Sequence, residues 1–320
     1  MSIVSREGAS FLRQKIILDC DPGHDDALAI LLAAKHPEIE LLAITTVAGN
    51  QSLDKTTLNA LKVCSLAGLY DIPIARGMSG PLVRAAKHAA DIHGASGLDG
   101  PSIPDPSVEP VSQHAVDLII DLLMHSDGDI VLVPTGPLTN IATAIQRQPA
   151  IVPKIKAISL MGGAIGVGNV TASAEFNIYF DPEAADIVFR CGRPITMVPL
   201  EVTHQALATP EIVARLRDEH RPIPTLAADL LVFFAETYYN VFGFPAPPLH
   251  DPCAVAAVFD PSIVKTSSMY VQIETQSELT IGRTVCDVYR TMGKDANVQV
   301  GYELDATRFW DVMVATLLTY

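Results

Sequence analysis

At 320 residues, 49% of them hydrophobic, the chain can bury a sizeable core in one large domain or two small ones, and disorder is not its default state. Acidic residues number 36 against 22 basic ones, for a formal net charge of -14; such a surface repels phosphate backbones and argues against nucleic acid as a partner, while a small neutral substrate is indifferent to it. Cys20, Cys64, Cys191, Cys253 and Cys286 are odd in number and lack a CxxC spacing, which points to reduced thiols in a cytoplasmic protein, and no apolar run reaches membrane-spanning length.

Residues 1–14 contain no apolar h-region and are expected to form a short N-terminal extension ahead of a single domain over 15–320. Short apolar, β-branched segments predict strands over 15–20, 41–47, 129–134, 157–161 and 194–199. Helical patterns fall between them at 25–35, 54–67, 113–125, 138–148 and 182–191. Further helices are expected at 225–239, 252–259 and 306–318, with strand-like runs at 269–274 and 297–302. Strands alternating with helices, and strands that are continuously apolar, predict an α/β fold: an open, mostly parallel sheet flanked by helices. The stretches 77–110 and 240–250 are long and rich in turn residues, and are expected to act as lids.

Four stretches carry chemistry. The first runs Asp19-Cys20-Asp21-Pro22-Gly23-His24-Asp25-Asp26, from the end of a buried strand into a helix. Carboxylates at the carboxyl end of a parallel strand sit where open α/β sheets bind ligands. A helix N-terminus stabilises part of their charge, and the remaining repulsion calls for a cation that takes an all-oxygen shell. Strand alternation points Cys20 away from Asp19 and Asp21. The plainer reading is a set of capping Asp residues on a solvated turn, with His24 a turn residue rather than a ligand.

The second stretch, Val133 to Asn140, is another strand end entering a helix, whose exposed carbonyl could be a neutral ligand; taken alone it is a capped turn. The third holds Gly162, Gly163, Gly166 and Gly168, then Asn169, Glu175 and Asn177. The glycines do not form GxGxxG, so a dinucleotide cofactor is not indicated. The polar trio suits hydrogen bonding to a polyol, and is equally a polar loop. In the fourth, His250-Asp251-Pro252, Asp251 offers another carboxylate and His250 a general acid; in isolation these are a helix cap beside a surface histidine.

Together, and in order, these stretches resemble the nucleoside hydrolase family across nearly the whole chain from Lys15. The DCDPGxDD motif at 19–26 carries most of the likeness. VAGN at 47–50, HGASGLDG at 93–100, LMGGA at 160–164, AEFNI at 174–178 and HDP at 250–252 add to it. Within the family the chain is similar to the bacterial pyrimidine-preferring ribonucleoside hydrolases. The resemblance implies a Rossmann-like core, a homodimer or homotetramer, a nucleoside substrate and a tightly bound Ca²⁺. It implies that Asp21, Asp26, Asp251 and the Thr135 carbonyl hold the calcium, with Asp21 also the general base for a water that the ion orients. It places Asp25, Asn50, Asn177 and the Met161 backbone on the ribose diol, and Asn169 and Glu175 at the 5′-hydroxyl. His93 and Phe176 would line the pocket and His250 would face the base. Tyr238 and Tyr239 fall where relatives carry further pocket side chains, and Phe242 stands where a polar group is expected.

Three rival readings fit less of the chain. A magnesium phosphohydrolase with an N-terminal DxD would need a DxDGT-type continuation, which is absent. A nucleoside phosphorylase would need an Arg-rich phosphate site. A non-catalytic ribose or nucleoside binding protein would have no use for a cation beside a general base.

Overall fold

Apolar side chains occupy consecutive positions in the central strands, so both sheet faces must be covered. The computed structural model describes residues 13–320; residues 1–12, most of the expected extension, lie outside the described residues. The strands are β1 (Gln14–Cys20), β2 (Ile39–Thr46), β3 (Ile74–Arg76), β4 (Ile130–Pro134), β5 (Ile155–Met161), β6 (Ile195–Val198), β7 (Val264–Met269), β8 (Val271–Ile273), β9 (Thr284–Cys286) and β10 (Val298–Leu304). Eight of them form one sheet in the order β3-β2-β1-β4-β5-β6-β10-β7. Neighbours are parallel except β10 and β7, while β8 and β9 make a separate antiparallel ribbon. The expected open, mostly parallel sheet flanked by helices is therefore what forms.

Alternation along β1 shows the two cores. Ile16, Leu18 and Cys20 pack with the helices His24–Lys35, Asp251–Phe259 and Ala306–Leu317. Ile17 packs with Ala115–Met124, Thr139–Arg147 and Pro182–Phe189 on the other face. The chain leaves β1 for β2 and β3 on one side, then returns to the other side of β1 as β4. The order thus reverses between β1 and β4, the loops leaving their carboxyl ends diverge, and a crevice opens between them. Asp19 pairs in register with Pro134, so Asp21 and Thr135 emerge together at its floor.

Most expected elements form with ends shifted by no more than three residues. The run 269–274 is instead divided between β7 and β8. The middle of β7, Lys265 to Ser268, is polar along an edge, so it lacks the apolar alternation that marks a strand. The short helices Phe176–Phe180, Leu200–Thr203 and Pro210–Arg217 were not anticipated, because so few residues show no clear 3.6-residue period. Helix Pro222–Phe242 runs into the expected loop 240–250, since nothing breaks it before Gly243, whose φ of 71° gives the left-handed cap. The 77–110 stretch contains a helical turn, Ala90–His93. It is also tied down: Gln51 Nε2 donates to the Gly94 carbonyl (2.9 Å) and Lys55 Nζ to that of Ala95 (2.6 Å).

Beneath the crevice, buried Asp19 Oδ1 accepts from Thr45 Oγ1 (2.5 Å) and Asn140 Nδ2 (2.7 Å). Asn140 Oδ1 in turn accepts from the Met78 amide (2.8 Å), which fixes the start of the 77–110 stretch. Asn140→Ala removes donor and acceptor at once and leaves the buried Asp19 carboxyl with Thr45 as its one side-chain donor. It is expected to lower the unfolding free energy by roughly 1–3 kcal/mol in urea titrations; an unchanged midpoint would show that this network does not hold the floor.

Candidate active site

The acidic turn after β1 is shaped by the helix that follows it. Asp26 Oδ2 accepts from the Gly23 amide (3.0 Å) and Oδ1 from Thr135 Oγ1 (2.9 Å), which ties the starts of both crevice loops together. Asp25 and Asp26 occupy the first turn of His24–Lys35, and Asp251 the first turn of Asp251–Phe259. The positive ends of both helix dipoles therefore meet these carboxylates. Asp21 Oδ2 accepts from the Asn50 amide at 2.7 Å, and its Oδ1 is buried with no partner among the described residues. Gly49 and Gly136 are required by this packing, because a Cβ on either would collide with the Asp21 carboxylate.

Asp25, Asp26 and Asp251 bring ligand oxygens within 4.8 Å of one another, all buried. Burial first, and the Asp26 charge second, push Asp25 up to about 7 and hold Asp21 well above the usual carboxylate range. Asp251 rises for the same first reason, with Asp25 the next cause. A cation reverses that balance by favouring the ionised forms. The donor set fits one: clustered carboxylate oxygens and an orphaned Asp21 oxygen offer an oxygen-only shell of the kind hard divalent cations take.

Above this floor lies a cavity of about 310 Å³. Asp25, Asn50, His93, Thr135, Met161, Asn169, Glu175, Phe176, Asn177, Tyr238, His250 and Asp251 all line it, while Asp21 and Asp26 are 1% and 0% exposed and lie beneath. Several of these groups also hold each other. Asn177 Nδ2 donates to the carbonyls of Thr135 (2.7 Å) and Met161 (3.2 Å). Glu175 caps Phe176–Phe180, accepting from the amides of Asn177, Ile178 and Gly163. Asn169 Oδ1 accepts from the Phe176 amide (2.9 Å), leaving its NH₂ as the group with hydrogens to offer.

His250 departs most from a surface histidine. It is 5% exposed; Nε2 meets the Tyr238 hydroxyl at 2.6 Å and Nδ1 meets Thr203 Oγ1 at 2.7 Å. Burial lowers its pKa to about 3, so the ring is neutral near pH 7, and burial keeps the Tyr238 phenol protonated. Tyr239 is 68% exposed and does not line the cavity. Sequence reasoning missed Thr203, which belongs to no motif, and the cavity residues Lys87, His88 and Phe234. His24, expected as a turn residue, is a buried first helical residue stacked on two aromatic rings.

Comparison with known proteins agrees with this geometry. Residues 16–311 match the family described as inosine-uridine preferring nucleoside hydrolase. The chain is 49% identical over 301 residues to the pyrimidine-specific ribonucleoside hydrolase RihB of Escherichia coli (strain K12), covering 94% of this chain and 96% of that one. The RihB of Shigella sonnei (strain Ss046) is 48% identical over the same length, with the same coverage. A purine-preferring ribonucleoside hydrolase from Gardnerella vaginalis superposes with a TM-score of 0.89 at 38% identity, covering 95% of this chain and 98% of that one. A plant nucleoside hydrolase, PpNRh1, gives 0.87 at 32%, with the same coverage. An open α/β sheet with an acidic crevice at its switch point is thus the frame of an N-glycosidase. The chain belongs to the inosine-uridine preferring nucleoside hydrolase family, and it is a ribonucleoside hydrolase.

Glu175 gives this site a measurable pH dependence. Burial raises its carboxyl from 4.5 to about 7 against the opposing pull of its backbone donors. A group raised in the folded state contributes stability that is fully present below its unfolded pKa and is lost as pH rises through the folded one. Relative to Glu175→Gln, the wild type should therefore lose roughly 2–3 kcal/mol of stability between pH 5 and pH 8. Denaturant titrations at both pH values check this, and parallel curves for the two proteins would contradict it.

Proposed function

We propose that this protein hydrolyses the N-glycosidic bond of pyrimidine ribonucleosides, uridine and cytidine ahead of purine nucleosides, to give ribose and the free base, with one calcium ion in the acidic crevice. The observation that carries the reading is one cavity that joins a buried carboxylate cluster to a set of polyol-type donors and acceptors. The pyrimidine preference is supported by the two RihB relatives, each pyrimidine-specific by name. A cytoplasmic location, supported by five free cysteines, and a homodimeric or homotetrameric assembly, supported by the family resemblance, belong to the same reading. Ribose release from uridine, cytidine, inosine and adenosine, with and without phosphate, is the direct test. Phosphate-dependent release of ribose 1-phosphate would replace hydrolysis with phosphorolysis.

In this mechanism Asp21, Asp26, Asp251 and the Thr135 carbonyl hold the ion, which when bound supplies Lewis acidity to water and an anchor for a diol. Asp21 takes a proton from the attacking water. Its Oδ2 is fixed by the Asn50 amide, and its Oδ1 is free to accept. Asp25, Asn50, Asn177 and the Met161 carbonyl hold the 2′- and 3′-hydroxyls, and Asn169 and Glu175 hold the 5′ side. Positive charge develops at the anomeric carbon as the bond to the base lengthens, by analogy with other glycosides. The buried carboxylates stabilise that charge more than they stabilise the neutral ground state, which is the condition for acceleration. The departing base takes its proton from the Tyr238–His250 pair, in which the phenol is protonated and the imidazole neutral.

Elemental analysis should find calcium at one per chain, and exhaustive chelation should abolish activity until calcium is returned. Stoichiometric zinc, or full activity after chelation, would overturn the ion assignment. With the ion still bound, Asp21→Asn should lose most of kcat while keeping much of its substrate affinity, since the proton transfer belongs to the transition state.

Leaving groups separate the proton source from the rest of the site. His250→Ala should slow uridine cleavage by roughly 10²–10⁴-fold, the range for a lost acid catalyst. It should leave p-nitrophenyl riboside nearly untouched, because p-nitrophenolate departs without a proton. Equal losses on both substrates would mean that His250 supports its neighbour Asp251 instead.

A further inference from the structure

A second cavity adjoins the catalytic one and has no part in the mechanism above. It measures about 210 Å³ and is lined by Arg84, Ala85, Lys87, Tyr179, Phe180 and Ile281. Lys87 lines both cavities. Their walls are continuous as well. The Phe180 ring lies 5.9 Å from that of Phe176 and 6.0 Å from that of His88, centroid to centroid, and both of those residues line the catalytic cavity.

The two cavities differ in charge. Asp25, Asp91, Glu175 and Asp251 line the catalytic cavity, whereas among the described residues no carboxylate lines the second one. Arg84 holds Glu183 through Nε (3.0 Å) and Nη2 (2.6 Å), so the charge of that pair is largely balanced. Lys87 pairs with no carboxylate among the described residues. Its Nζ stands over the Tyr179 ring, 5.7 Å from the centroid, which holds the ammonium at the boundary between the cavities. On a chain of net charge -14, an unpaired cation beside an arginine is a local reversal of the surface field.

The shared wall also fixes where this charge lies relative to a sugar. Glu175 caps the helix Phe176–Phe180, and Asn169 accepts from its first amide. These are the two groups that the nucleoside reading puts at the 5′ side. A group carried on the 5′ oxygen therefore starts beside this helix, on whose flank Lys87 and the second cavity lie.

We propose that the second cavity is a phosphate subsite, in which Lys87 and Arg84 hold the 5′-phosphate of a ribonucleoside 5′-monophosphate, so that the protein cleaves these nucleotides in addition to nucleosides. The orientation of the sugar rests on the nucleoside reading above. A phosphate monoester carries about -1.5 to -2 charges near pH 7 and three acceptor oxygens, which match ammonium and guanidinium donors. The bonds made and broken are those of nucleoside hydrolysis. The water oxygen joins C1′, and the C1′–N bond breaks with its electron pair passing to the base. The elements of water end as a hydroxyl on C1′ and a hydrogen on the base. The products are the free base and ribose 5-phosphate, with the phosphate ester intact.

Base release from uridine and from uridine 5′-monophosphate, followed on the calcium-loaded full chain, decides it. The wild type should convert the nucleotide to uracil and ribose 5-phosphate. Lys87→Met keeps most of the apolar stem and removes the charge. It should lower kcat/KM for the nucleotide, relative to uridine, about tenfold, the low end for a hydrogen bond to a charged group, as suits an exposed side chain. Arg84→Gln should move the same ratio in the same direction. Failure to cleave the nucleotide by protein that cleaves uridine would overturn the proposal, even if the nucleotide competes. So would ribose and free phosphate as products, which would mean that dephosphorylation came first. A ratio left unchanged by Lys87→Met or by Arg84→Gln would place the phosphate elsewhere, and the proposal would fall. Should uridine itself stay intact, the nucleoside reading falls, and calorimetry with ribose 5-phosphate and ribose judges the subsite alone. Tighter binding of the phosphate ester, weakened about tenfold in Lys87→Met, upholds it. Equal binding of the two sugars, or no effect of the substitution, rejects it.

Discussion

The carboxylates of Asp21, Asp25, Asp26 and Asp251 are buried together at the carboxyl ends of β1 and β4 and beside them, and among the described residues no Lys or Arg hydrogen-bonds to any of them. Desolvating one carboxylate is costly, and desolvating several side by side is costlier. The surrounding structure offsets part of that cost. Two helices aim their N-termini at the cluster, the Gly23 and Asn50 amides and the Thr135 hydroxyl donate into it, and Gly49 and Gly136 let backbone approach where any side chain would collide. What stays unbalanced is negative charge with an open oxygen, and that imbalance makes the crevice a cation site rather than a salt-bridge network.

The opposite wall is built on a different principle. Around His250 the ring nitrogens are spoken for by Tyr238 and Thr203, and the ring carries no charge near neutral pH. Burial disfavours a protonated imidazole at this position. What this wall presents is a neutral hydrogen-bonded pair, Tyr238 with His250, joined by a short contact. The carboxylate cluster is thus concentrated at the floor of the cavity, while the wall around His250 stays neutral.

Legibility in the sequence followed the range of the interactions. The sheet and its helices were readable because burial on both faces writes long apolar runs, and the acidic turn because its residues are adjacent. The polar trio Asn169, Glu175 and Asn177 was readable as a cluster, but not the second job that Glu175 has as the cap of Phe176–Phe180, which emerges only when Gly163 is brought alongside. Thr203 was invisible, since a threonine in a four-residue helix carries no signal until His250 arrives from a distant segment. His24 read as a turn residue because its partners, His93, Asp99 and Phe233, come from other parts of the chain. Tyr238 and Tyr239 could not be ranked by sequence; only the rotation of helix Pro222–Phe242 buries one and exposes the other.

The reversal of strand order at β1 and β4 has a consequence for how the chain comes to be folded. The crevice floor joins Asp21, near the start of the chain, to Asp251, which is made only after β1 to β6 have all appeared. Loop-closure entropy must be met before such distant contacts repay it, and parallel strands separated by whole helices fold slowly for that reason. A chain still emerging from the ribosome holds Asp21, Asp25 and Asp26 without their fourth carboxylate. The complete acidic crevice therefore exists only once the segment carrying Asp251 has been made, after all the strands from β1 to β6.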